Sequence, residues 1–187
     1  LWDKNQWLLE VLSHSSKYIH FKILNGSNSW YCTMVYASPH IQGRVQLWRD
    51  LCMIATQVDG PWNLMGDFNV VLHSYERQGS SPSSSIRGDN AFRKFANHCS
   101  LIDIGYQGAP FNWHRGLLYE HLDRSLVSYD WHISFPDASL IHLNPFKSDH
   151  SPILLHFGLD ENLRRRKRPF GFEAAWLTHE AFQGLMQ

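Results

Sequence analysis

Two short polar signatures lie where apolar runs of the sequence end or begin. Gly66-Asp67-Phe68-Asn69 follows the apolar run 62–65, and Ser148-Asp149-His150 precedes the apolar run 152–157. Strand ends can converge on a cleft, so these carboxylates, the carboxamide and the imidazole could lie together. Carboxylates bind Mg²⁺ or polarise water, an amide can donate to a phosphate oxygen, and an imidazole can contact phosphate. The two signatures therefore predict metal-assisted attack of water on a phosphodiester.

Asp67 and Asn69 are separated by one residue, so on an extended segment their side chains point to the same side. Two interpretations stay open for this pair: polar groups aimed at a substrate, or an Asx turn that closes a buried strand. Tyr36 ends the apolar run 30–36 and leaves a similar choice. Its hydroxyl either faces a phosphate or belongs to a core tyrosine whose oxygen reaches the surface. His150 can donate to a phosphoryl oxygen as negative charge develops there.

Further motifs place these residues in a series. In chain order the motifs are Val35-Tyr36-Ala37-Ser38-Pro39, Gly66-Asp67-Phe68-Asn69-Val70-Val71-Leu72, Phe111-Asn112-Trp113, His121-Leu122-Asp123-Arg124 and Ser148-Asp149-His150-Ser151-Pro152-Ile153. This series resembles the endonuclease/exonuclease/phosphatase family, which has the DNase-I-like fold. The residues within these motifs are most similar to those of the endonuclease domain that precedes reverse transcriptase in plant LINE-type retrotransposons. The resemblance runs from residue 1 to residue 157, and residues 168–177 resemble the connector that leads to the polymerase.

The resemblance implies a site with six catalytic residues: Tyr36, Asp67, Asn69, Asp123, Asp149 and His150. It implies that Tyr36 and Asn69 contact the phosphate, that Asp67 activates or orients water, and that Asp123 fixes the tautomer of His150. It assigns a Mg²⁺ ion, which Mn²⁺ could replace, to Asp149 and Asp67. DNA is the implied substrate, nicked to expose a 3′-hydroxyl for priming. We therefore expect five of these side chains, Asp67, Asn69, Asp123, Asp149 and His150, to face one cleft at one end of the sheets, with Asp123 about 2.6–3.2 Å from a His150 ring nitrogen.

Two positions depart from the family pattern, and a third has two interpretations. Asn112 stands before Trp113 where the family usually has Thr, which leaves a phosphate contact open at this position. His121 stands where the retroelement pattern usually has Arg. We expect its charge to titrate near neutrality, which would weaken binding to the DNA backbone. Arg124 is either a phosphate contact or a salt-bridge partner.

Members of the family carry a strand ending in Asn and a later strand ending in a metal-binding Glu, both before the point that matches Leu1. The resemblance therefore implies that residues 1–158 are the C-terminal portion of such a domain. Residues 159–187 would form a basic linker and the start of the connector toward a reverse transcriptase. The implied fold class is α/β, a partial four-layer α/β sandwich of two mixed β-sheets flanked by helices, without its N-terminal strands.

The family's metal-binding Glu has no counterpart in the matching residues, and this lowers the expected activity. We expect the 187-residue chain to be a poor or inactive nuclease that is prone to aggregate. Two alternative functions stay open. One is another phosphatase or phosphodiesterase of the same superfamily, and the other is a non-catalytic retroelement remnant.

The composition bounds the class of protein. Of the 187 residues, 43% are hydrophobic and 14% are aromatic, which favours one folded domain. The 17 basic and 17 acidic residues balance, but five of the basic ones lie in the run 164–168, so the rest of the chain is slightly acidic. We therefore do not expect bulk electrostatic binding of DNA. The run 164–168 is either a solvated linker or an auxiliary DNA contact.

Targeting and redox signals are few. No apolar stretch reaches the length of a membrane span and no signal peptide opens the chain, so we expect no membrane partner. Cys32, Cys52 and Cys99 lack metal-type spacing and are interpreted as thiols in a reducing compartment. The parent element is expected to act inside the cell, in the nucleus. The pattern defines no oligomer.

The elements that must position the site follow from periodicity. Alternation over residues 18–23 predicts a half-buried strand, and residues 30–36 predict its hairpin partner, buried on both faces. Apolar spacing predicts a helix over residues 44–58 and another that Asp89 can cap. The Ser-rich residues 73–88 predict a surface loop. Short strands are predicted near residues 101–104, 111–114, 121–127, 140–143 and 153–157.

Overall fold

The computed structural model describes residues 7–25, 28–79 and 90–158. The helices within these ranges are α1 (Ile41–Ala55), α2 (Asn90–His98) and α3 (Tyr129–Ser134). The strands are β1 (Leu8–His14), β2 (Tyr18–Asn25), β3 (Asn28–Tyr36), β4 (Trp62–Asp67), β5 (Arg77–Gln78), β6 (Ile102–Asp103), β7 (Trp113–Arg115), β8 (Leu118–Glu120), β9 (Asp123–Val127), β10 (Ser139–His142) and β11 (Ile153–His156).

Six strands form one mixed sheet in the order β1-β2-β3-β4-β9-β6. β1, β2 and β3 form an antiparallel meander, whereas β3 and β4 run parallel and are connected through α1, because parallel neighbours need a crossover. β9 returns antiparallel to β4. The strands predicted over residues 18–23 and 30–36 are confirmed as β2 and β3. Met34 and Tyr36 are exposed, however, so β3 is not buried on both faces along its whole length.

The helices α1 and α2 supply the apolar side chains that cover one face of this sheet. Leu47 and Leu51 of α1 lie one turn apart and are almost fully buried. The ring of Trp48 stacks on Phe95 of α2, with ring centroids 5.2 Å apart. The helix predicted over residues 44–58 is confirmed as α1, although it begins and ends three residues earlier. The helix predicted after Asp89 is confirmed as α2.

The opposite face of the sheet carries a smaller apolar core. Its buried residues are Trp30, Val127 and Trp131. Phe157, which follows β11, packs against them with its ring 5.8 Å from that of Trp30. Farther along β2 and β3 on this face, Ile19 is 48% exposed and Met34 is 41% exposed. Exposed apolar side chains on a sheet favour association, so the expected tendency to aggregate stays a prediction.

The prediction of a surface loop over residues 73–88 is wrong for its first part. Ser74–Glu76 forms a 3₁₀ turn, and β5 pairs with β8 in a three-stranded sheet of order β5-β8-β7. Glu76 is only 7% exposed, because the Glu76 carboxylate forms an ion pair with the buried Arg124. Residues 80–89 of this segment, including Asp89, lie outside the described residues.

The remaining short strands agree with the sequence. Those predicted near residues 101–104, 111–114, 121–127, 140–143 and 153–157 correspond to β6, β7, β9, β10 and β11. β1, β8 and α3 were not predicted. Within the described residues no helix is long and apolar enough to cross a bilayer. Residues 159–187, which carry the predicted linker and connector, lie outside the described residues.

Candidate active site

The tip of β4 carries the first part of the site. Gly66 has a φ of 132°, and a Cβ added there would lie 2.2 Å from the carbonyl oxygen of Val35, so only glycine fits. Asp67 ends the strand, and its Oδ1 accepts a hydrogen bond from the backbone N–H of Asn69 at 2.8 Å. Nδ2 of Asn69 donates to Oδ2 of Asp67 at 2.6 Å and to the carbonyl oxygen of Ala37 at 2.9 Å. Both hydrogens of the Asn69 side-chain amide therefore have partners within the protein.

The Asx turn that the sequence left open is present. Asn69 has a φ of 50°, in the left-handed region that Asn tolerates better than most residues. The turn holds the Asp67 carboxylate in place and ties it to the backbone that follows β3. The two interpretations are therefore compatible, because the turn itself forms part of the candidate site. A contact between the Asn69 amide and a phosphate stays a prediction.

Asp67 lies among other carboxylates. The residue is 7% exposed, and burial, followed by the negative charge of Asp123, raises the pKa of Asp67 to about 6. Asp149 also raises this pKa, whereas the hydrogen bond from Asn69 and the charge of His150 lower it. Because the folded-state pKa is raised, ionising Asp67 costs stability as the pH rises from about 4 to above 6. Asp67 is therefore a stronger base than an ordinary aspartate.

The register of the sheet brings Tyr36 beside Asp67. Tyr36 pairs with Asp67 and Asp67 pairs with Asp123, so the three residues lie side by side across β3, β4 and β9. Tyr36 is 61% exposed, which excludes the alternative of a core tyrosine. Nζ of Lys17 lies 5.6 Å from the centre of the Tyr36 ring. This edge of the site therefore presents a hydroxyl and a cation to solvent.

His150 contacts this row of residues through a hydrogen bond with Asp123. Its Nδ1 lies 2.8 Å from Oδ2 of Asp123, so the predicted pair is confirmed. The hydrogen bond to Asp123 raises the pKa of His150 above its usual value, and burial of the ring acts in the opposite direction. The His150 side chain is 31% exposed, whereas that of Asp123 is 12% exposed. The carboxylate is thus covered while the ring stays accessible.

Asn112 fixes the backbone that carries this pair. Its Oδ1 accepts from the N–H groups of Leu122 at 2.8 Å and Asp123 at 3.0 Å, and its Nδ2 donates to the carbonyl oxygen of Asp123. The backbone carbonyl of Asn112 accepts from the N–H of Ser151, the neighbour of His150, at 2.7 Å. Asn112 is 1% exposed. It therefore holds the strand ends in position from inside the protein, and the phosphate contact left open by the sequence is not its role.

Asp149 lies on the exposed side of the site. Its Oδ2 accepts a hydrogen bond from Nε1 of Trp113 at 3.1 Å, and this bond lowers the pKa of the Asp149 carboxyl group. Trp113 also forms an antiparallel bridge with His150, and the two rings meet edge to face at 6.4 Å. Trp113 thus orients both Asp149 and His150. The sequence did not predict this role, and its only signal was the position of Trp113 in the third motif.

Two other motif residues lie in the interior. Arg124 is fully buried and forms ion pairs with Glu76 at 2.7 Å and Asp103 at 2.8 Å, so the salt-bridge alternative is correct. His121 is 3% exposed. Burial, reinforced by the charge of Arg124, lowers the pKa of His121 to about 2. The expectation that His121 titrates near neutrality is therefore wrong, because its ring is neutral and enclosed.

The resemblance implies a bound Mg²⁺ ion, and the carboxylates of the site are the groups that could hold it. Within the described residues, no group of three or more His, Cys, Asp or Glu side chains is arranged to hold a metal. Protein sites for Mg²⁺ often supply only one or two carboxylates and leave the other positions to water and substrate phosphate. The exposed carboxylate of Asp149 and the raised pKa of Asp67, caused partly by neighbouring negative charge, fit such a site. These residues fit a weakly held ion that depends on substrate.

We predict that replacing Asp123 with Asn lowers the pKa of His150. The variant removes the negative charge that favours the imidazolium form but preserves a hydrogen-bond acceptor. Because the folded-state pKa is raised, the pair stabilises the fold below the usual histidine pKa, and this contribution is lost as the pH rises through the folded-state value. The Asp123→Asn variant should lose that pH dependence.

Nitrogen-15 NMR titration of the imidazole rings in metal-free protein measures this effect. The buried His20, whose pKa is lowered chiefly by desolvation and whose ring contacts Thr33, is an internal reference that should not move. An unchanged His150 titration in the Asp123→Asn variant would show that the contact has no electrostatic role.

Comparisons with known proteins bear on the fold. No protein-family model matches the sequence, and no curated protein matches it significantly. The endonuclease domain of TRAS1, a telomere-specific non-LTR retrotransposon, is similar in structure, with a TM-score of 0.56 and 10% sequence identity over 79% of this chain and 66% of that chain.

Two other solved structures are less similar. A beta toxin from Staphylococcus aureus has a TM-score of 0.49 and 14% identity over 75% of this chain and 56% of that chain. Truncated Caenorhabditis elegans TDP2 has a TM-score of 0.47 and 13% identity over 79% of this chain and 66% of that chain. The chain therefore spans between 56% and 66% of the length of these three structures.

The likeness to the TRAS1 domain, together with the mixed sheet and the helices on its face, defines the class of architecture. The chain has the DNase-I-like fold, and the predicted α/β fold class is confirmed.

Proposed function

We propose that this chain is part of a phosphodiesterase that hydrolyses DNA with the help of Mg²⁺. The observation that carries the proposal is the hydrogen bond of 2.8 Å between Asp123 and His150. Asp123 lies on the strand paired with that of the buried Asp67, whose pKa is raised to about 6. An imidazole backed by a carboxylate keeps one tautomer, and a carboxylate of raised pKa can take a proton from water. Phosphodiester hydrolysis needs both capacities.

In this proposal each side chain has a separate task. His150 acts as the imidazolium, which its raised pKa favours: its Nδ1–H stays on Asp123 and its Nε2–H donates to a phosphoryl oxygen as negative charge develops there. Water forms the new bond to phosphorus and its proton passes toward Asp67. The P–O3′ bond breaks, and the departing oxygen takes a proton from solvent water to become the 3′-hydroxyl. Tyr36, exposed beside Asp67, donates its hydroxyl to the same phosphate, and Asn69 holds the turn. A Mg²⁺ or Mn²⁺ ion held by Asp149 and Asp67 would supply positive charge beside the phosphate.

We further propose that the lineage is the endonuclease of a plant LINE-type retroelement. The order of the five motifs supports this, and so does the structural likeness to the endonuclease domain of a non-LTR retrotransposon. A reverse transcriptase domain is then the partner in the full-length element, and the nucleus is the place of action. The basic residues 164–168 would lie between the two activities.

A non-catalytic remnant is the second candidate. It is favoured by one observation, the lack of a three-ligand metal group within the described part of the chain. Weak metal binding predicts slow hydrolysis, whereas a remnant would show none.

We predict that the protein, supplied with Mg²⁺, hydrolyses bis(p-nitrophenyl) phosphate faster than p-nitrophenyl phosphate. A water activated at Asp67 and a donor at His150 suit a diester with one non-reacting ester group, and the negative charges of Asp67, Asp123 and Asp149 disfavour a dianionic monoester. Release of p-nitrophenolate measures both rates. Faster hydrolysis of the monoester would instead support a phosphatase, and the Asp123→Asn variant is the control for a contaminating enzyme.

A further inference from the structure

Two cysteines on different elements face each other away from the candidate active site. Cys52 lies on α1, and Cys99 directly follows α2. Their Sγ atoms are 3.6 Å apart, although 47 residues separate them in sequence. Both are free thiols of intermediate burial. A disulfide needs an S–S distance of about 2.05 Å, so the sulfurs would have to approach each other by about 1.5 Å to bond.

The positions of both sulfurs are set by rigid packing. Leu51, the neighbour of Cys52, is fully buried under α1. The N–H of Cys99 donates to the carbonyl oxygen of Phe95 at 3.0 Å, which continues the last turn of α2. Phe95 in turn stacks on Trp48 of α1. The two thiols are therefore held together by the core and do not meet by chance on mobile loops.

The surroundings indicate which reagent reaches the pair. Cys52 lines an open groove of about 580 Å³ between α1 and α2, and Met53 and Phe95 contribute apolar surface to it. The exposed side chains of Arg49, Lys94 and His98 border the same groove. Basic side chains beside a reactive thiol attract anionic reagents. A small disulfide that carries carboxylates, such as glutathione disulfide, matches this charge.

We propose that Cys52 and Cys99 are a site of reversible oxidation, in which a small anionic disulfide of the glutathione type converts them into an intramolecular disulfide. The Cys52 thiolate attacks one sulfur of the reagent, a mixed disulfide forms, and one glutathione thiolate leaves. The Cys99 thiolate then attacks the Cys52 sulfur of the mixed disulfide, and the second glutathione thiolate leaves. The two protons lost by the cysteines end on the two glutathione thiols, so the protein is oxidised by two electrons and the reagent is reduced.

The environment also sets the pace of this reaction. Burial raises the pKa of Cys99 to about 12, and the hydrogen bond with Cys52 adds to that effect. The second attack is therefore slow at neutral pH and faster in alkaline buffer. The pair is therefore expected to close during sustained exposure to the oxidant and not during a brief one. The sequence alone predicts three thiols in a reducing compartment and gives no sign that two of them meet.

Incubation of the folded protein with glutathione disulfide, followed by intact-mass measurement under non-reducing conditions, tests the proposal. We expect the mass to fall by that of two hydrogen atoms and peptide mapping to link Cys52 to Cys99. Closing a loop of this length should raise the Tm by on the order of 10 °C, and dithiothreitol should reverse the change.

Variants separate this pair from the third cysteine. Cys32→Ala removes a buried thiol outside the pair and should form the link normally. Cys52→Ser and Cys99→Ser should each fail to form it, with no rise in Tm on oxidation. A lasting adduct with one glutathione, disulfide-linked dimers, or an unchanged mass in folded protein would each overturn the proposal.

Discussion

Replacing His150 with Ala is expected to slow phosphodiester hydrolysis by about 10²–10³-fold, the usual cost of losing one donor to a developing oxyanion. The reason lies in the geometry of the pair. His150 is partly exposed, and Asp123 at 2.8 Å orients its ring and favours the imidazolium form, so its free N–H is placed to donate to a substrate. The loss should appear mainly in kcat, because the charge on the phosphoryl oxygen grows in the transition state.

The rate with bis(p-nitrophenyl) phosphate and Mg²⁺ provides the measurement. His132→Ala is the matched control, since His132 is an exposed histidine on α3 and has no place in the candidate site. It should leave the rate unchanged. Equal rates for the His150→Ala variant and the parent would remove His150 from the proposed mechanism.

Replacing Arg124 with Met is expected to lower the free energy of unfolding by about 3–5 kcal/mol. Arg124 is fully buried, and its guanidinium group neutralises Glu76 and Asp103. The guanidinium carbon also lies 5.6 Å from the centre of the Phe92 ring. Methionine preserves much of the apolar stem but leaves the carboxylate of Glu76 buried without its partner.

Urea denaturation measures this change. Arg93→Met is the control, because Arg93 is exposed and its side chain donates a surface hydrogen bond to Oδ1 of Asn90 at 2.7 Å. This variant should alter stability by less than about 0.5 kcal/mol. Adding Glu76→Gln to Arg124→Met should restore part of the loss, since it removes the buried charge. A loss below about 1 kcal/mol in Arg124→Met would show that the ion pairs contribute little.

The part of the site that lies at strand ends was predictable from the sequence. The apolar run 30–36 ends at Tyr36 and the run 62–65 ends just before Gly66-Asp67, which places Tyr36 and Asp67 at strand tips. The hairpin of β2 and β3 follows from alternation. The resemblance supplied the pairing of Asp123 with His150, which the structure confirms at 2.8 Å. The catalytic and metal-binding roles of these residues stay predictions.

Burial and distant contacts were not predictable, because they depend on which elements pack together. Glu76 stands in a Ser-rich segment that reads as a loop, and only its ion pair with Arg124 explains its burial. Nothing local to His121 shows that its ring is enclosed and neutral. α3 has six residues, too few for a helical period to be visible.

Asn112 illustrates the same limit at the site itself. As a single polar residue in a motif it suggests a contact with substrate. The structure instead gives it three hydrogen bonds to the backbone of Leu122 and Asp123. A role of this kind can be recognised only when the strands that it connects are in place.

Nicking of supercoiled plasmid DNA, followed across a series of Mg²⁺ concentrations for the parent chain and His150→Ala, tests the central claim most directly. Two carboxylates hold Mg²⁺ weakly. The account therefore predicts slow nicking by the parent that rises with Mg²⁺ without saturating at low millimolar concentration, leaves 3′-hydroxyl ends that a DNA polymerase extends, and is lost in His150→Ala. The claim would be contradicted by the absence of nicking at every Mg²⁺ concentration, or by nicking that His150→Ala retains.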